Sequence, residues 1–551
     1  MKNKTINLAF LTPLIFIVMY ILPLGLRDLW SPDEIRYAEI AREMVSSGNW
    51  TVPTFNGLRY FEKPVMGHWM NAFSQVLFGE NNFSVRFASV LSSAGAAFCL
   101  WLLVSRFITR QLAWVSASIF ISLFIVAGIG TYSVLDSIFT LWLTAAFTAF
   151  FFAISANNSA ARYKDYGLAG LFCGLAFLTK GFLALALPVI VVLPYLLWQK
   201  QFLPMLRWGW WVMAIALLIC LPWSVAIHLA EPDFWSYFFW IEHIQRFSAT
   251  NAQHSAPFWY YFAYLPLAML PWIFVTPTAV RHLATHLNVP LIRYALLWMV
   301  IPIVFFSLAK GKIVTYILPS MAPLAILLAV GLNSAYQKQA KGFKWGSMVN
   351  ATIMALLAVA FLMLSYMGWL PLDDAEYYRP WLAFTAFASW ALFACLALRC
   401  KTLDAKIGCY TMMPVGLFLL FWAIIPNLSI NAKMPATFIE ELKPLVTAQT
   451  VLAGDHPSTV SALNWYLQRG DVYLVDSKGE LTYGLSYPDA VERYIERQKL
   501  TEFIQTKQQT SAVLIFMRGL PLAASALPKI TLRIERGRFS AFYFAKRGDH
   551  H

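Results

Sequence analysis

A polar stretch near the N-terminus concentrates residue types that can carry chemistry. Residues 30–39, WSPDEIRYAE, place Asp33, Glu34 and Arg36 within four positions of one another. A carboxylate can act as a general base or orient an amine or a hydroxyl, and a guanidinium binds phosphate. The two acidic residues would also favour a helix N-terminus through the helix dipole alone, so a structural role stays open.

Further ionisable and aromatic side chains stand beside apolar segments along the rest of the chain. Ionisable groups at a membrane edge are candidates for function because burying them there is costly. We single out Tyr37, Tyr60, Glu62, Lys63, Asp136, Lys180, His243, Arg246, Lys310, Lys312 and Tyr316. Glu62 and His243 are ordinary ligands of divalent ions such as zinc, so these two residues could share one.

Several of these candidates have a structural alternative. Asp136 can cap the start of a membrane span, where the helix dipole favours an acidic group. Lys180 can extend its ammonium group toward water from a tight turn. His243 on its own is typical of a hydrogen-bonded structural histidine, and Lys310 and Lys312 can be plain loop charges.

This set of side chains indicates a lipid-linked phosphate as substrate. Lys and Arg bind the phosphate, while aromatic rings and an apolar groove hold a lipid tail. The sequence has no nucleotide-binding motif, so a sugar donor must arrive already activated. A glycosyl group on a polyprenyl phosphate meets that requirement outside the cell, where nucleotides are absent.

The elements that position these residues begin with a helix in the polar stretch. Ser31 can cap this helix, Pro32 suits its first position, and Glu34 completes a capping box. Apolar residues then repeat at helical spacing, and charged residues fall on the opposite face. The pattern predicts an amphipathic helix that lies along a membrane surface.

The composition excludes a soluble protein of this size. Of 551 residues, 59% are hydrophobic and 13% are charged, and the mean hydropathy is +0.58. We predict a polytopic α-helical membrane protein with about thirteen spans, the first of them retained because no cleavage site follows it. The spans lie near 8–26, 84–105, 111–129, 137–156, 166–179, 182–198, 208–229, 259–280, 291–308, 313–332, 345–368, 380–398 and 407–426.

Charge patterning predicts the orientation of the chain. With the N-terminus in the cytoplasm, the N-terminal tail and the cytoplasmic loops hold sixteen Lys and Arg against two Asp. Basic residues concentrate on the cytoplasmic side of membrane proteins. The difference equals the formal net charge of +14 for the whole chain. The excess of basic residues is therefore explained by the orientation of the chain in the membrane and gives no argument for nucleic acid as a partner.

The C-terminal part reads as a small soluble α/β domain outside the membrane. We predict a transmembrane domain, 1–428, with external loops 27–83 and 230–258, and a soluble domain, 429–551. The soluble domain contains none of the six cysteines, so no disulfide framework is expected. Predicted strands lie at 450–454, 472–476, 511–516 and 530–534, and predicted helices at 458–469, 488–497 and 500–508.

Four motifs together resemble a known family. They are PDExRYAE at 32–39, FEKP at 61–64, the aspartate at the fourth span, and KxxxYxLP at 312–319. These motifs are similar to those of GT-C glycosyltransferases of the protein mannosyltransferase superfamily. Within that superfamily, the chain looks like the bacterial 4-amino-4-deoxy-L-arabinose lipid A transferases. The likeness covers the spans, the first loop and the C-terminal α/β domain.

The resemblance implies an enzyme of the bacterial inner membrane whose active site and C-terminal domain face the periplasm. Its donor would be an undecaprenyl-phosphate-linked aminoarabinose, and its acceptor the phosphates of lipid A. The product confers resistance to polymyxin and cationic peptides. No cofactor would be essential, although Glu62 and His243 could hold a divalent ion such as zinc, and the chain would act as a monomer.

The same resemblance implies roles for the candidate residues. Asp33 would be the principal catalytic carboxylate and Asp136 the second acidic group. We expect the two carboxylates to meet the substrate-binding residues in one periplasmic cavity bordered by lipid. The substrate-binding residues would be Glu34, Arg36, Tyr37, Tyr60, Lys63, Lys180, Arg246, Lys310, Lys312 and Tyr316.

Three other functions compete with this one. A protein O-mannosyltransferase also uses a polyprenyl-phosphate sugar and has an acidic first loop. A lipid transporter without catalysis should show an internal repeat of discontinuous helices, which the sequence lacks. An oligosaccharyltransferase should carry a WWDYG-type segment, and none occurs.

Overall fold

The computed structural model describes residues 7–245, 255–519 and 527–548, without the side chains of 204–206 and 242–245. The chain divides into two compact units. The first comprises Met1–Leu24, Arg86–Leu370 and Tyr377–Ile424, and the second comprises Gly25–Val85, Pro371–Glu376 and Ile425–His551. The second unit thus combines the first loop with the C-terminal part of the chain.

The first unit is built of long apolar helices, because a helix satisfies its own backbone polar groups where water is absent. Among the described residues, eight helices are long and apolar enough to cross a membrane, and two bent pairs raise the number to ten. The eight are Asn82–Phe107, Leu135–Ile154, Arg207–Ala230, Pro290–Leu308, Val314–Gln337, Gly342–Tyr366, Asp374–Arg399 and Leu403–Ile424. The bent pairs are Arg110–Ser122 with Phe124–Gly130 and Tyr260–Ala268 with Trp272–His286.

The remaining predicted spans coincide with three other helices. Leu8–Ile21 and Leu183–Trp198 are apolar but shorter, and Ser159–Lys180 carries charged residues near its start. Each of the thirteen predicted spans therefore coincides with a helix or a helix pair. The number of helices that cross the membrane stays a prediction, because length and composition support eight to ten.

The second unit contains a short ribbon and a mixed six-stranded sheet. The ribbon pairs β1 (Thr54–Phe55) with β2 (Leu58–Arg59). The sheet contains β3 (Val451–Gly454), β4 (Tyr473–Val475), β5 (Tyr494–Ile495), β6 (Val513–Arg518), β7 (Leu532–Arg536) and β8 (Phe539–Phe544). Its order is β5-β4-β3-β6-β8-β7, with parallel pairing from β5 to β6 and antiparallel pairing of β8 with β6 and β7. The unit's helices are Asp33–Ser47, Met66–Phe78, Asn427–Lys433, Ala436–Leu442, Pro457–Leu467 and Leu500–Lys507.

The four predicted strands are confirmed, as are the predicted helices at 458–469 and 500–508. The helix predicted at 488–497 is wrong, because Pro488–Arg493 forms only 3-10 turns and Tyr494–Ile495 is a strand at the sheet edge. Long-range pairing of Tyr494 with Leu474 decides the conformation there. The sequence analysis also missed β8, an apolar run that pairs with β6.

The first loop and the C-terminal domain share one apolar core. Ile35, Phe55 and Tyr60 of the loop are buried in the same cluster as Leu463 and Leu474 of the domain. Burial of such side chains contributes roughly 1.5–3 kcal/mol each. The loop is therefore an integral part of the second unit.

The predicted loop helix forms at Asp33–Ser47 but does not lie along a membrane surface. Both of its faces are buried, and it packs against Met66–Phe78 and Pro457–Leu467. On its charged face, the Arg42 guanidinium donates to Glu39 at 2.6 and 2.8 Å and to the Arg469 carbonyl at 3.3 Å. An amphipathic pattern looks the same whether the polar face meets water or a charged protein surface, which explains the wrong prediction.

Candidate active site

The start of the loop helix is fixed by Glu34. Its Oε2 accepts the backbone N–H of Trp30 at 2.8 Å and lies 2.9 Å from the Arg27 guanidinium. The predicted cap by Ser31 is wrong, since no side-chain cap precedes the helix and the buried carboxylate is the stronger acceptor. These contacts show that Glu34 helps to fix the start of the helix, and its predicted contact with substrate stays a prediction. Asp33 stands at the first helical position, with a side chain 42% exposed.

Arg36, one turn further on, is the central cation of the second unit. Its guanidinium donates to Asp33 Oδ1 at 2.7 Å and to Glu480, and it lies over the Tyr37 ring, 4.9 Å from the centroid. Burial lowers the pKa of Arg36, but Glu480, the neighbouring phenols and Asp33 reverse that effect and raise it well above its usual value. Arg36 therefore remains a permanent cation next to an exposed carboxylate.

The RYFEKP segment brings further polar groups to this cation. Tyr60 is 1% exposed, and burial raises its pKa well above the usual value although Arg36 opposes the shift. The phenol is therefore neutral and able to donate a hydrogen bond. Lys63 donates from Nζ to the Glu62 carbonyl at 2.7 Å. We call Asp33, Arg36, Tyr37, Tyr60 and Lys63 the loop cluster.

Glu480 contacts the loop cluster, and sequence analysis missed it. It lies in the short turn Gly479–Leu481 of the C-terminal domain and forms an ion pair with Arg36. The two residues are 444 positions apart, and no local pattern marks an isolated Glu in a polar turn. Only the packing of the first loop on the C-terminal domain brings the two charges together.

A second group of candidates meets in the first unit. Asp136 lies in the first turn of Leu135–Ile154, and Lys180 is the last residue of Ser159–Lys180. These helices pack together, and Lys180 Nζ lies 2.7 Å from Asp136 Oδ1, with both side chains less than 15% exposed. Lys180 thus pairs with a carboxylate instead of extending into water. We call these two residues the span pair.

The KxxxYxLP segment contributes to the span pair through its tyrosine. Lys180 Nζ lies 5.3 Å from the centroid of the Tyr316 ring, a cation–π arrangement. Lys312 is buried, and its Nζ donates to the carbonyls of Ala256, at 2.8 Å, and Ala309. Lys310 is exposed. Tyr316 therefore contacts Lys180 of the span pair, whereas Lys312 donates hydrogen bonds to backbone carbonyls.

The metal prediction has no test here, because the side chain of His243 lies outside the described residues. Arg246 also lies outside them. In the part of the chain that the structure describes, no group of three or more His, Cys, Asp and Glu is arranged to hold a metal ion. Glu62 is half-buried beside Lys63. The expected convergence of all candidates in one cavity likewise stays a prediction.

The loop cluster has the chemistry of a site for a phosphate ester with a polar head. A buried guanidinium and an ammonium group attract the anion, and the neutral Tyr60 phenol can donate a hydrogen bond to it. The exposed Asp33 carboxylate can accept from an amine or a hydroxyl. These groups suit a substrate that carries a negative charge at one end and a hydrogen-bond donor, such as an amine or a hydroxyl, at the other.

Two family models match parts of the chain. The model of the dolichyl-phosphate-mannose-protein mannosyltransferases matches residues 6–238. The model of the arabinosyl transferase ArnT C-terminal domain matches residues 430–543. The two matches cover the first loop with the early helices and, separately, the mixed sheet.

Full-length relatives decide the family. The undecaprenyl phosphate-α-4-amino-4-deoxy-L-arabinose arabinosyl transferase of Shewanella sediminis is 59% identical over 544 residues, which are 99% of each chain. The chain belongs to this arabinosyl transferase family. Its member from Aeromonas salmonicida is 43% identical over 92% of this chain and 93% of its own.

The fold of this arabinosyl transferase family also occurs in a solved structure. The crystal structure of ArnT from Cupriavidus metallidurans bound to undecaprenyl phosphate matches with a TM-score of 0.83 and covers 97% of each chain. The two sequences are 22% identical, so the likeness shows the fold. The chain is thus a multi-pass membrane protein with a GT-C type helical domain and a C-terminal α/β domain.

Proposed function

We propose that this chain transfers 4-amino-4-deoxy-L-arabinose from undecaprenyl phosphate to the phosphate groups of lipid A. Its relatives at 59% and 43% identity are named as transferases of this sugar. The observation in the structure that supports the proposal most directly is the pairing of Asp33 with Arg36 at 2.7 Å. This pair sets an exposed carboxylate beside a permanent cation, as an aminosugar phosphate requires.

The loop cluster binds the donor in this proposal. Arg36 and Lys63 hold the phosphate, and Tyr37 and Tyr60 line the site around it. Asp33 holds the ammonium group of the sugar and so orients its anomeric carbon. The remaining predicted contacts with substrate, from Glu34, Lys310, Lys312 and Arg246, belong to the same proposal.

The transfer itself exchanges one phosphate ester for another. An oxygen of the lipid A phosphate attacks the anomeric carbon, and the bond from that carbon to undecaprenyl phosphate breaks. Undecaprenyl phosphate leaves with the electron pair of that bond. The attacking phosphate is already an anion, so no base has to remove a proton from it. Asp33 and Asp136 therefore act by position and charge, and Lys180 and Tyr316 hold Asp136 in place.

The proposal also includes the setting of the reaction. The chain acts as a monomer in the bacterial inner membrane, with the site and the C-terminal domain in the periplasm, and requires no essential cofactor. Charge lost from lipid A weakens the binding of cationic peptides, which gives resistance to polymyxin. A divalent ion held by Glu62 and His243 is the one metal site that the sequence suggests.

A second candidate function rests on the match of residues 6–238 to the protein mannosyltransferase model. Such an enzyme would transfer the sugar to a serine or threonine hydroxyl. A hydroxyl must lose its proton, so Asp33 would act as a general base. The two functions therefore differ in acceptor and in the task of the same carboxylate.

Reconstitution with defined substrates tests the proposal. The purified full chain is placed in liposomes with undecaprenyl-phosphate-linked aminoarabinose and lipid A, and the products are weighed by mass spectrometry. We expect lipid A to gain the sugar at its phosphates, with release of undecaprenyl phosphate. A glycosylated serine or threonine peptide with unchanged lipid A would instead establish the second candidate.

A further inference from the structure

His68 carries two ring nitrogens that have no hydrogen-bond partner among the described residues of the second unit. The residue is 0% exposed and lies in the first turn of the helix Met66–Phe78, directly after the FEKP segment. In the part of the chain that the structure describes, neither Nδ1 nor Nε2 makes a hydrogen bond. A buried polar group without a partner destabilises the fold, so its presence calls for a physical reason.

The surroundings of His68 are those of the loop cluster. Its ring centroid lies 5.9 Å from that of Tyr37 and 6.1 Å from that of Tyr60, with an edge-on arrangement to Tyr60. The Arg36 guanidinium lies over the ring of Tyr37, 4.9 Å from its centroid. His68 is therefore packed among the residues that the proposed function assigns to the donor.

A polar atom of the loop cluster, Arg36 Nε, is also buried without a hydrogen-bond partner among the described residues. Arg36 uses its two terminal nitrogens on Asp33 and Glu480, but its buried Nε–H has no hydrogen-bond partner among the described residues. Two donors from neighbouring side chains thus lack an acceptor. Both belong to elements of the same compact unit, the helices Asp33–Ser47 and Met66–Phe78.

The protonation state of His68 limits what it can bind. Burial lowers its pKa, and the charges of Arg36 and Lys63 lower it further, to about 3. The imidazole is therefore neutral at working pH, with one N–H donor and one acceptor nitrogen. A neutral N–H donor beside cations suits a phosphate oxygen, because it adds a hydrogen bond without adding charge.

We propose that His68 is a further donor-binding residue, which donates a hydrogen bond to the phosphate of the polyprenyl-phosphate donor. The ligand supplies an acceptor that the described residues do not, and the same phosphate accepts from Arg36 Nε–H. This inference rests on the proposed function, whose donor it uses. It extends the phosphate site by a residue that lies outside the FEKP motif.

Substitution by phenylalanine separates this role from a structural one. His68→Phe keeps a ring between Tyr37 and Tyr60 and removes both unpartnered nitrogens, so the melting temperature should stay the same or rise. The Kd for undecaprenyl phosphate, measured on the purified full chain in detergent, should rise about ten-fold or more, as expected for a lost hydrogen bond to a charged group. The KM for the donor should rise similarly, with a smaller change in kcat.

Two further variants sharpen the result. His68→Gln retains an N–H donor and should bind undecaprenyl phosphate with a Kd between those of wild type and His68→Phe. His282→Phe is the matched control, because His282 Nδ1 has a partner, the Thr278 carbonyl at 2.9 Å. This control should lower the melting temperature and leave the Kd unchanged, which is the opposite of the pattern expected at His68.

The outcomes distinguish this inference from the function on which it rests. If the wild-type chain neither binds undecaprenyl phosphate nor transfers the sugar, the proposed function fails. If the wild-type chain does both and His68→Phe retains its Kd and KM, the inference about His68 alone is overturned. A large fall in kcat with an unchanged Kd would also overturn it, since binding is the effect it requires.

Discussion

The guanidinium of Arg36 has two carboxylate partners, Asp33 on one terminal nitrogen and Glu480 on the other. A donor phosphate that binds this guanidinium has to share it with them. Glu480 comes from the C-terminal domain, so that domain sets part of the charge that the phosphate meets. In the proposed site, the Glu480 carboxylate therefore weakens donor binding, whereas the cations strengthen it.

Neutralising Glu480 should tighten donor binding. Glu480→Gln removes the competing charge, and we expect the Kd for undecaprenyl phosphate to fall about three-fold, the effect of a partly exposed ion pair. Direct binding to the purified chain is the measurement. Glu496→Gln is the matched control, because Glu496 is 60% exposed and forms a long ion pair with Lys499 at 3.7 Å. Unchanged or weaker binding in Glu480→Gln would show that Glu480 does not compete with the phosphate.

The buried His68 should make the chain sensitive to acid. Its pKa is about 3 in the fold, against 6.5 as the ordinary value, so the unfolded chain binds more protons between these two pH values. The free energy of unfolding is therefore unaffected by this titration above pH 6.5 and falls as the pH drops from 6.5 toward 3, because only the unfolded chain takes up the proton. Between pH 7 and pH 5, wild type should lose about 2 kcal/mol more than His68→Phe. Chemical denaturation at the two pH values measures this loss. If wild type and His68→Phe lost the same free energy of unfolding, the conclusion that the buried imidazole is neutral would be contradicted.

At this scale, sequence analysis found Asp33, Arg36, Tyr60 and Lys63 because they lie in compact motifs. It could not find Glu480, whose role depends on a contact across 444 positions. It also passed over His68, since one histidine in an apolar helix carries no periodic signal. Residue types thus predict a phosphate-bearing ligand, whereas contacts between residues far apart in the chain can be read only from the fold.

At the scale of elements, two helix ends bring Asp136 and Lys180 together. The acidic residue lies in the first turn of Leu135–Ile154, where the helix dipole favours it, and the lysine lies at the last residue of Ser159–Lys180, where the dipole favours a cation. The ion pair satisfies both charges where these two helix ends meet. It also explains why each residue alone looked structural in the sequence.

A double-mutant cycle separates the structural and functional roles of the span pair. Removing one partner of a buried pair leaves an unpaired charge, so Lys180→Met should destabilise the chain by roughly 3–5 kcal/mol. The double variant Asp136→Asn with Lys180→Met should regain most of that stability but remain without transferase activity. Thermal unfolding and the transfer assay provide the two measurements. Activity near that of wild type in the double variant would reduce the pair to a structural role.

Element prediction succeeded where hydrophobic periodicity dominates and failed where distant pairing decides. Apolar runs located the helices of the first unit, and short runs rich in β-branched and apolar residues located four strands of the sheet. The sequence at 488–497 has helical spacing, but Tyr494 pairs with Leu474 at the sheet edge. Likewise, the face of Asp33–Ser47 that looked solvated is buried, because charged groups such as Arg42 have partners within the protein.

At the scale of the whole molecule, the first loop depends on the C-terminal domain for its core. Buried loop residues such as Ile35 and Phe55 belong to the same apolar cluster as Leu463. The buried Glu39 and Arg42 pair with each other in the same region. The loop that carries the proposed donor site therefore cannot keep its structure without residues that follow position 425.

Removing the C-terminal domain should unfold the first loop. A chain that ends at residue 429 should lose activity, and trypsin added to spheroplasts should cleave it after Arg42, which is only 7% exposed in the full chain. Peptide mapping by mass spectrometry measures the cleavage. A chain that lacks only 549–551 is the control and should resist cleavage there. Equal resistance of both chains would show that the loop folds on its own.

Lipid A from living cells gives the most direct test of the central claim. Cells that lack their own transferase but make the donor receive the wild-type chain, Asp33→Asn, or Asp28→Asn, whose carboxylate lies in the same loop and accepts from Asn82 at 3.3 Å. Mass spectrometry of lipid A should show the added aminoarabinose with wild type and Asp28→Asn, and none with Asp33→Asn at equal amounts of inserted protein. Unmodified lipid A with the wild-type chain, or full modification with Asp33→Asn, would contradict the account.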